Sequence, residues 1–290
     1  MNLPSSVSFL APAKLNLFLQ VFGRRPDGYH DIRSVMAPVS LYDEVIVEKA
    51  PEMEDIAVEC DVAGVPVDET NSCYRAASLF REWCGFTWGV RIIIRKRIPV
   101  ESGLGGGSSD AAATLKCLCA LTGLQPSPAE YLSMAARIGA DVPFFTMGTT
   151  ALVEGYGDIL TPMPMDILFH AVIVKPSFGM STREGYARLK RGAMKPPASG
   201  NVPLFPCLAV LASSVRNDFE DAWAMEFPEI VKIKEELLSA GALAAGLSGS
   251  GSALFGLFPS EGEAREGLAW MQNRSVEAGA RKYFVAGSIL

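Results

Sequence analysis

The feature that most limits how this chain can fold is the segment Pro99-Val-Glu-Ser-Gly-Leu-Gly-Gly-Gly-Ser-Ser109, set between a β-rich run and a helical one. Gly103, Gly105, Gly106 and Gly107 carry no Cβ, so the backbone can curl until successive N–H groups converge on one point. Val90–Ile94 before it reads as a strand, with Arg91 alternating out of it. After it, Ser108, Ser109 and Asp110 suit the cap and first turn of a helix, and Ala111, Leu115, Leu118, Cys119 and Thr122 follow at helical spacing until Gly123 stops them. A helix N-terminus offers unsatisfied donors and partial positive charge, which favours an anion. Ser108 and Ser109 add hydroxyls, and Lys96 and Arg97 lie just upstream. The bland alternative is a flexible strand-to-helix turn. The helix continuing directly from the glycines favours a phosphate cradle.

Two better-known cradles are excluded. A G-x-x-x-x-G-K-[ST] loop needs a lysine after its glycines, and none follows here. A dinucleotide fingerprint needs G-x-G-x-x-G, whereas Gly103-x-Gly105 is followed by Ser108 at the last position. The net charge of -6 argues against a nucleic-acid face, since the densest basic cluster, Arg95-Lys96-Arg97 with Arg91 before it, suits one polyphosphate better than a duplex. No apolar run is long enough to span a bilayer and no leader segment is visible, so a cytoplasmic protein without membrane contact is expected. Six cysteines without a C-x-x-C pair, and two histidines, argue against zinc and for reduced thiols.

At 290 residues the chain fits two lobes, with a boundary expected near residue 160, where Pro162 and Pro164 break the pattern. Strands are expected at Val7–Ala11, Leu15–Phe22, Val45–Val47, Ala171–Lys175 and Tyr283–Val285, and helices at Asn71–Trp83, Pro228–Leu238 and Ser260–Gln272. Ser127, Pro128 and Glu130 form a capping box for a helix ending near Ile138. Leu243–Leu247 and Ala253–Phe258 read as a hairpin around Ser248–Ser252, and residues 191–203 as a surface loop. Hairpins mix with helices without regular βαβ alternation, so the fold class is α+β.

The glycine segment, with Ala111-Ala112 behind it, resembles the phosphate loop of the GHMP kinases, the superfamily of galactokinase, homoserine kinase, mevalonate kinase and phosphomevalonate kinase. Ala11-Pro-Ala-Lys14-Leu-Asn16-Leu is similar to that superfamily's N-terminal motif, and Leu247-Ser-Gly-Ser-Gly-Ser-Ala-Leu-Phe255 to its C-terminal one. Five stretches resemble most closely the branch that phosphorylates a cytidyl diphosphate alcohol in non-mevalonate isoprenoid synthesis. They are Lys14–Leu19, Arg25–His30, Gly103–Asp110, Gly139–Phe144 and Asn217–Glu220. Glu101-Ser102 departs from the small residues usual before the loop glycines, and Ser252-Ala253 from the Pro-Thr often found in the third motif. The Glu101 carboxylate is expected to point away from a bound triphosphate.

The resemblance implies a two-lobed fold, with a ribosomal protein S5-like N-terminal lobe over residues 1–160 and an α/β C-terminal lobe over 161–290. It also implies ATP as co-substrate, with Mg²⁺. Lys14 and Asp141 are the catalytic candidates. Locally, Lys14 also reads as a lysine snorkelling from an apolar strand, and Asp141 as a capping aspartate before Pro143. The family pairs these two near the acceptor hydroxyl, which would favour the carboxylate and neutralise charge in transfer. The ATP side comprises Lys96, Pro99, Val100, Glu101, Ser102, Gly103, Leu104, Gly105, Gly106, Gly107, Ser108 and Ser109. The acceptor side comprises Asn16, Tyr29, His30, Asn71, Thr182, Gly249, Ser250 and Gly251. Tyr29 and His30 can stack on and hydrogen-bond a cytosine, although a surface turn tyrosine is the plain reading of the first. Acceptors of the homoserine or mevalonate type, the alternative, carry no base. Asp110 either favours the helix N-terminus or helps hold magnesium.

Overall fold

A computed structural model describes residues 3–53, 55–163, 165–189, 196, 204–274 and 281–289. The first elements are β1 (Ser6–Arg24), β2 (His30–Ala50), β3 (Ile56–Cys60), α1 (Ser72–Cys84), β4 (Gly89–Arg95), α2 (Gly106–Thr122), α3 (Pro128–Ile138) and α4 (Val142–Met147). Next come β5 (Ala151–Glu154), β6 (Ile159–Pro162), β7 (His170–Lys175), α5 (Thr182–Arg188), α6 (Leu208–Ser213), β8 (Arg216–Asn217) and α7 (Phe219–Trp223). The chain closes with α8 (Glu229–Ser239), β9 (Ala244–Leu247), β10 (Leu254–Phe258), α9 (Glu261–Arg274) and β11 (Lys282–Gly287). The surface loop expected over 191–203 lies outside the described residues, residue 196 excepted.

Compactness does not divide the chain at a single point. One unit takes the chain through Ala13, Tyr42–Val100 and Gly105–Gly148; the other takes Lys14–Leu41, Glu101–Leu104 and the chain from Thr149 onward. The strands β1 and β2 therefore contribute to both, and the glycine segment changes unit twice.

In the first unit β4 runs antiparallel to β2, from Glu44 opposite Arg95 to Ala50 opposite Gly89, and β3 lies parallel to β4. Alternation sends Val45, Val47, Ile92 and Ile94 inward. Helix α1 is capped by Asn71, whose side chain accepts from Cys73 N–H, and α3 carries the expected capping box of Ser127 and Glu130. Eleven of the seventeen residues of α2 are buried, which makes it the central helix of this unit rather than a surface one.

The second unit has the strand order β6-β5-β2-β1-β8 and a separate antiparallel sheet, β11-β7-β10-β9. Helix α8 packs on β9 and β10, and α9 on β7, β10 and β11. Phe258, Val172 and Val174 fill the core between these layers, and Phe255 is buried on the opposite face of the sheet.

Two sequence expectations differ from the structure. Pro12 does not separate two strands, because β1 is continuous. A proline breaks a ladder only where its missing N–H would face a partner, and β8 reaches β1 only at Phe18 and Leu19. Helix α2 starts at Gly106, not at a serine cap: Gly105 occupies the N-cap without a side-chain bond, and Ser109 and Asp110 are buried inside the first turn. The first N–H groups of α2 thus carry no side-chain cap.

Candidate functional site

The predicted residues collect in two neighbourhoods, one in each unit. In the first unit, Asp43 stands at an inward position of β2, in the alternation Leu41-x-Asp43-x-Val45. Its Oδ1 accepts the backbone N–H groups of Arg97 (2.5 Å) and Ile98 (2.8 Å), and its Oδ2 accepts from Lys96 Nζ. Lys96 Nζ also donates to Asp110 Oδ2 at 2.7 Å. All three side chains are buried. A Cβ on Gly106 would stand 3.1 Å from Lys96 Nζ, so the ammonium lies directly beneath the start of α2.

Two carboxylates around one ammonium leave a buried surplus of negative charge. Burial, and then the like charge of Asp43, outweigh the attraction of Lys96 and push the Asp110 carboxyl up to about 7. Its Oδ1 is buried and has no hydrogen-bond partner, which suits a carboxyl that holds a proton near neutrality. For Lys96, burial opposes the charge, but Asp110 and Asp43 together hold its pKa above the ordinary lysine value.

The expected phosphate clamp of clustered cations does not form as read from the sequence. Arg95 pairs with Glu44 (3.3 Å), Arg91 with Glu59 (3.6 Å), and the Lys96 side chain is only 6 % exposed. The Lys96 backbone N–H is also engaged, donating to Asp61 Oδ1 at 2.9 Å. Pro99 is half-buried and Val100 exposed at the head of the loop, while Gly105, Gly106 and Gly107 lead into α2. Asn71 spends its side chain on capping α1 and on the Pro66 carbonyl. Asp141 heads α4 without capping it, so the capping alternative falls away and its half-buried carboxylate is not used locally. Two residues earlier, a Cβ on Gly139 would lie 4.0 Å from Ser108 Oγ, which sets the segment bearing Asp141 against the first turn of α2.

In the second unit, Lys14 and Asn16 point the same way from β1, and Lys14 Nζ donates to Asn16 Oδ1. The amide is oriented by Ser34. The Ser34 hydroxyl donates to Phe18 O (2.7 Å), so it accepts from Asn16 Nδ2 (2.8 Å), and this aims Asn16 Oδ1 at the lysine. Both Lys14 and Asn16 are buried.

The turn between β9 and β10 meets this pair. Asn16 N–H donates to Ser248 Oγ (3.3 Å), and a Cβ on Gly249 would stand 3.1 Å from Lys14 Nζ. The first half of the glycine loop is joined to the same turn: Ser248 Oγ lies 3.1 Å from Gly103 O, Ala253 N–H donates to Ser102 O (2.9 Å), and Lys14 N–H donates to Leu104 O (3.0 Å). Gly103 has φ 75°, and a Cβ there would run into the Ser248 carbonyl oxygen; no side chain fits. Glu101, exposed and at φ 52°, carries its carboxylate over Gly179.

Around the same unit, Thr182 Oγ1 and Ser250 Oγ share a hydrogen bond of 2.7 Å. His30 stacks on Tyr186 at 5.0 Å and 18°, and exposed Tyr29 leans on Tyr156. Burial, and then nearby Arg24, hold His30 below the ordinary imidazole value. It is therefore neutral at pH 7, with one donor and one acceptor nitrogen. Asn16, Ser250, Gly251 and Thr182 are thus brought to one turn, whereas Asn71 belongs to the other unit.

Sequence reading passed over Asp43, Ser34, Ser248 and Tyr186. Only Asp43 left a clear signal, a carboxylate on the apolar face of an alternating strand, which needs a buried cation. Among the described residues no group of three or more His, Cys, Asp or Glu side chains could hold an ion. No helix there is long and apolar enough to cross a membrane.

Comparison with known proteins adds a second line of evidence. Residues 71–149 match the GHMP kinases N terminal domain, and residues 206–275 the GHMP kinases C terminal domain. A protein of Acetivibrio thermocellus named 4-diphosphocytidyl-2-C-methyl-D-erythritol kinase is 40 % identical over 263 residues, covering 89 % of this chain and 92 % of its own. One of the same name from Geobacter metallireducens is 40 % identical over 272 residues, covering 93 % and 95 %. The crystal structure of a 4-(cytidine 5'-diphospho)-2C-methyl-D-erythritol kinase superposes with a TM-score of 0.79 at 34 % identity, over 97 % of this chain and 99 % of that one. A homoserine kinase from Cytophaga hutchinsonii shares the fold at a TM-score of 0.72 and 19 % identity, over 99 % of this chain and 96 % of its own.

Proposed function

The chain belongs to the GHMP kinases, and within them to the 4-diphosphocytidyl-2-C-methyl-D-erythritol kinase family, and from that premise we propose that it transfers the γ-phosphoryl group of ATP to the 2-hydroxyl of 4-diphosphocytidyl-2-C-methyl-D-erythritol. It is an ATP-dependent small-molecule kinase, and the proposed step belongs to non-mevalonate isoprenoid precursor synthesis in the cytoplasm. The observation that carries the reading to these residues is the buried Lys14–Asn16 pair, seated on the same turn that anchors Ser102–Leu104 of the phosphate loop.

In this reading the backbone from Pro99 to Ser109, with Lys96 fixed beneath it, holds the triphosphate. The acceptor oxygen attacks the γ-phosphorus, the bond to ADP breaks, and the hydroxyl proton passes to the Asp141 carboxylate. Lys14 neutralises charge on the transferring group, and Asn16 fixes its ammonium. Tyr29 and neutral His30 take the cytosine, the first by stacking and the second by hydrogen bonding; Thr182, Gly249, Ser250 and Gly251 bound the acceptor. Magnesium would accompany the nucleotide, held mainly by phosphate and water oxygens. Bound there, it would supply positive charge that offsets the phosphates.

ADP release in the presence of the cytidyl alcohol tests the assignment. Lys14→Met and Asp141→Asn should each lower kcat by about 10²–10⁴-fold. No alcohol-dependent ADP from the wild type, or full activity in both variants, overturns it.

A further inference from the structure

The stretch Asn217-Asp218-Phe219-Glu220 stands out in the sequence but has no part in the site described so far. We propose that Asn217 is a positioning residue for phosphoryl transfer, acting on Lys14 through the glycine turn between β9 and β10. The proposal rests on the functional reading above for the role of Lys14.

Asn217 Nδ2 donates to Leu247 O at 2.7 Å and to Gly249 O at 2.8 Å, and its Oδ1 accepts Phe219 N–H at 2.9 Å. Both amide donors are therefore spent on the turn. Two further side chains reach the same backbone from one face of the following helix: Glu220 Oε1 accepts Leu247 N–H (2.9 Å), and Trp223 Nε1 donates to Ser250 O (3.1 Å). Glu220 and Trp223, three residues apart on α7, share a face of that helix, and Asn217 reaches the turn from β8, two residues before the helix begins. All three bind main-chain groups of the turn rather than its side chains.

The same stretch is fixed to the strand that carries Lys14. Asn217 pairs with Leu19 in the sheet, Asp218 N–H donates to Leu19 O (3.0 Å), and Asp218 Oδ2 accepts Val21 N–H (2.9 Å). The far side of the turn meets Lys14 itself. Ser248 Oγ lies 3.4 Å from Lys14 O and accepts Asn16 N–H, and a Cβ on Gly249 would stand 3.1 Å from the Lys14 ammonium. Asn217 thus ties down two carbonyl groups of a segment whose other surface is the floor under the lysine. With its donors removed, those two carbonyls have to find other partners.

Glycines supply little stiffness of their own, because Gly249 and Gly251 are both at positive φ, where few alternatives are closed to them. The rigidity of the floor comes from outside it, and Asn217 makes two of the four hydrogen bonds that these three side chains give to the turn.

The test compares Asn217→Asp with the wild type in the full-length enzyme. The aspartate keeps the shape and the acceptor for Phe219 N–H but cannot donate to either carbonyl. We expect kcat to fall by about 30- to 100-fold, in line with an ångström-scale misplacement of a reacting group, while the KM for ATP moves less than about threefold. The loss should also vanish in the Lys14→Met background, where the double variant is no slower than Lys14→Met alone. Arg281→Met, which breaks the pairs with Glu229 and Glu236 elsewhere in the unit, provides the profile of a purely structural loss: lower Tm with kcat per folded molecule retained. Should Asn217→Asp fail to fold, Ser248→Ala interrupts the same link more gently and should show the same split between kcat and KM. The inference is overturned if Asn217→Asp behaves like Arg281→Met, if its loss multiplies with that of Lys14→Met, or if Ser248→Ala keeps full kcat. Absence of wild-type turnover on the cytidyl alcohol would instead sink the functional reading, and the same comparisons would then be made on whichever alcohol the wild type phosphorylates.

Discussion

The two glycine turns of this enzyme are supported by different chemistry. Under the start of α2, Lys96 is buried between Asp43 and Asp110. Under the turn between β9 and β10 the supports are an amide, an indole and a single carboxylate, all bonded to backbone. The first arrangement takes three ionisable groups out of water, which is costly unless every partner is present. The second replaces peptide–water bonds by peptide–side-chain bonds at small net gain. The difference separates two lysines. Lys96 is neutralised by carboxylates and serves as a pillar beneath the loop. Lys14 rests on a turn, Leu-Ser-Gly-Ser-Gly-Ser, that brings no carboxylate of its own.

Cutting one support from each side would break or confirm that contrast. Lys96→Met leaves two buried carboxyl groups facing each other and should cost about 3–5 kcal/mol. Trp223→Phe removes the bond to Ser250 O and also part of a fully buried indole, and should cost about 2–3 kcal/mol. Urea unfolding of both variants decides; equal losses would mean that the ionic pillar carries no special weight. Gly103→Ala comes next, because Gly103 belongs to the loop yet lies against the neutral turn. Positive φ and the Ser248 carbonyl together should cost about 2–3 kcal/mol. A fall in kcat/KM with unchanged Tm would show instead that the turn yields to the methyl group.

Much of this was legible in the sequence, for identifiable reasons. The capping box at Ser127 and the hairpin around Ser248–Ser252 are local, and local chemistry writes them plainly. Lys14 and Asn16 were visible because polar residues at i and i+2 in an apolar strand share a face. What escaped was long-range. Asp43 and Lys96 are 53 residues apart, and Asn217 and Gly249 are 32 apart, so no spacing rule connects them. The helices α5, α6 and α7 are five to seven residues long, too short for periodicity to speak. The inward turn of Lys96 is hidden for the opposite reason: three adjacent cations look like one patch, and only the fold reveals that the middle one is buried.

A pH-dependent effect bears on the ionic pillar alone. Asp110 titrates near 7 in the folded protein against an ordinary value of 3.8, because burial and Asp43 disfavour its charge more than Lys96 favours it. Between those two values the folded state holds a proton that the unfolded state has released. Stability therefore falls as pH rises through this window and levels off once Asp110 is ionised in both states. From pH 5.5 to pH 7 the drop should be about 2 kcal/mol, at a limiting slope near 1.4 kcal/mol per pH unit per proton. Urea unfolding at the two pH values measures it, with Asp110→Asn as the reference, since an amide cannot titrate and its profile should lose this slope. If wild type and Asp110→Asn change in parallel, Asp110 is already ionised in the fold, and the pillar carries its net negative charge at neutral pH. If only the wild type loses stability, the proton is real: the loop beneath which Lys96 lies then rests on a triad made neutral by Asp110, which spares an incoming triphosphate the repulsion of a buried anion.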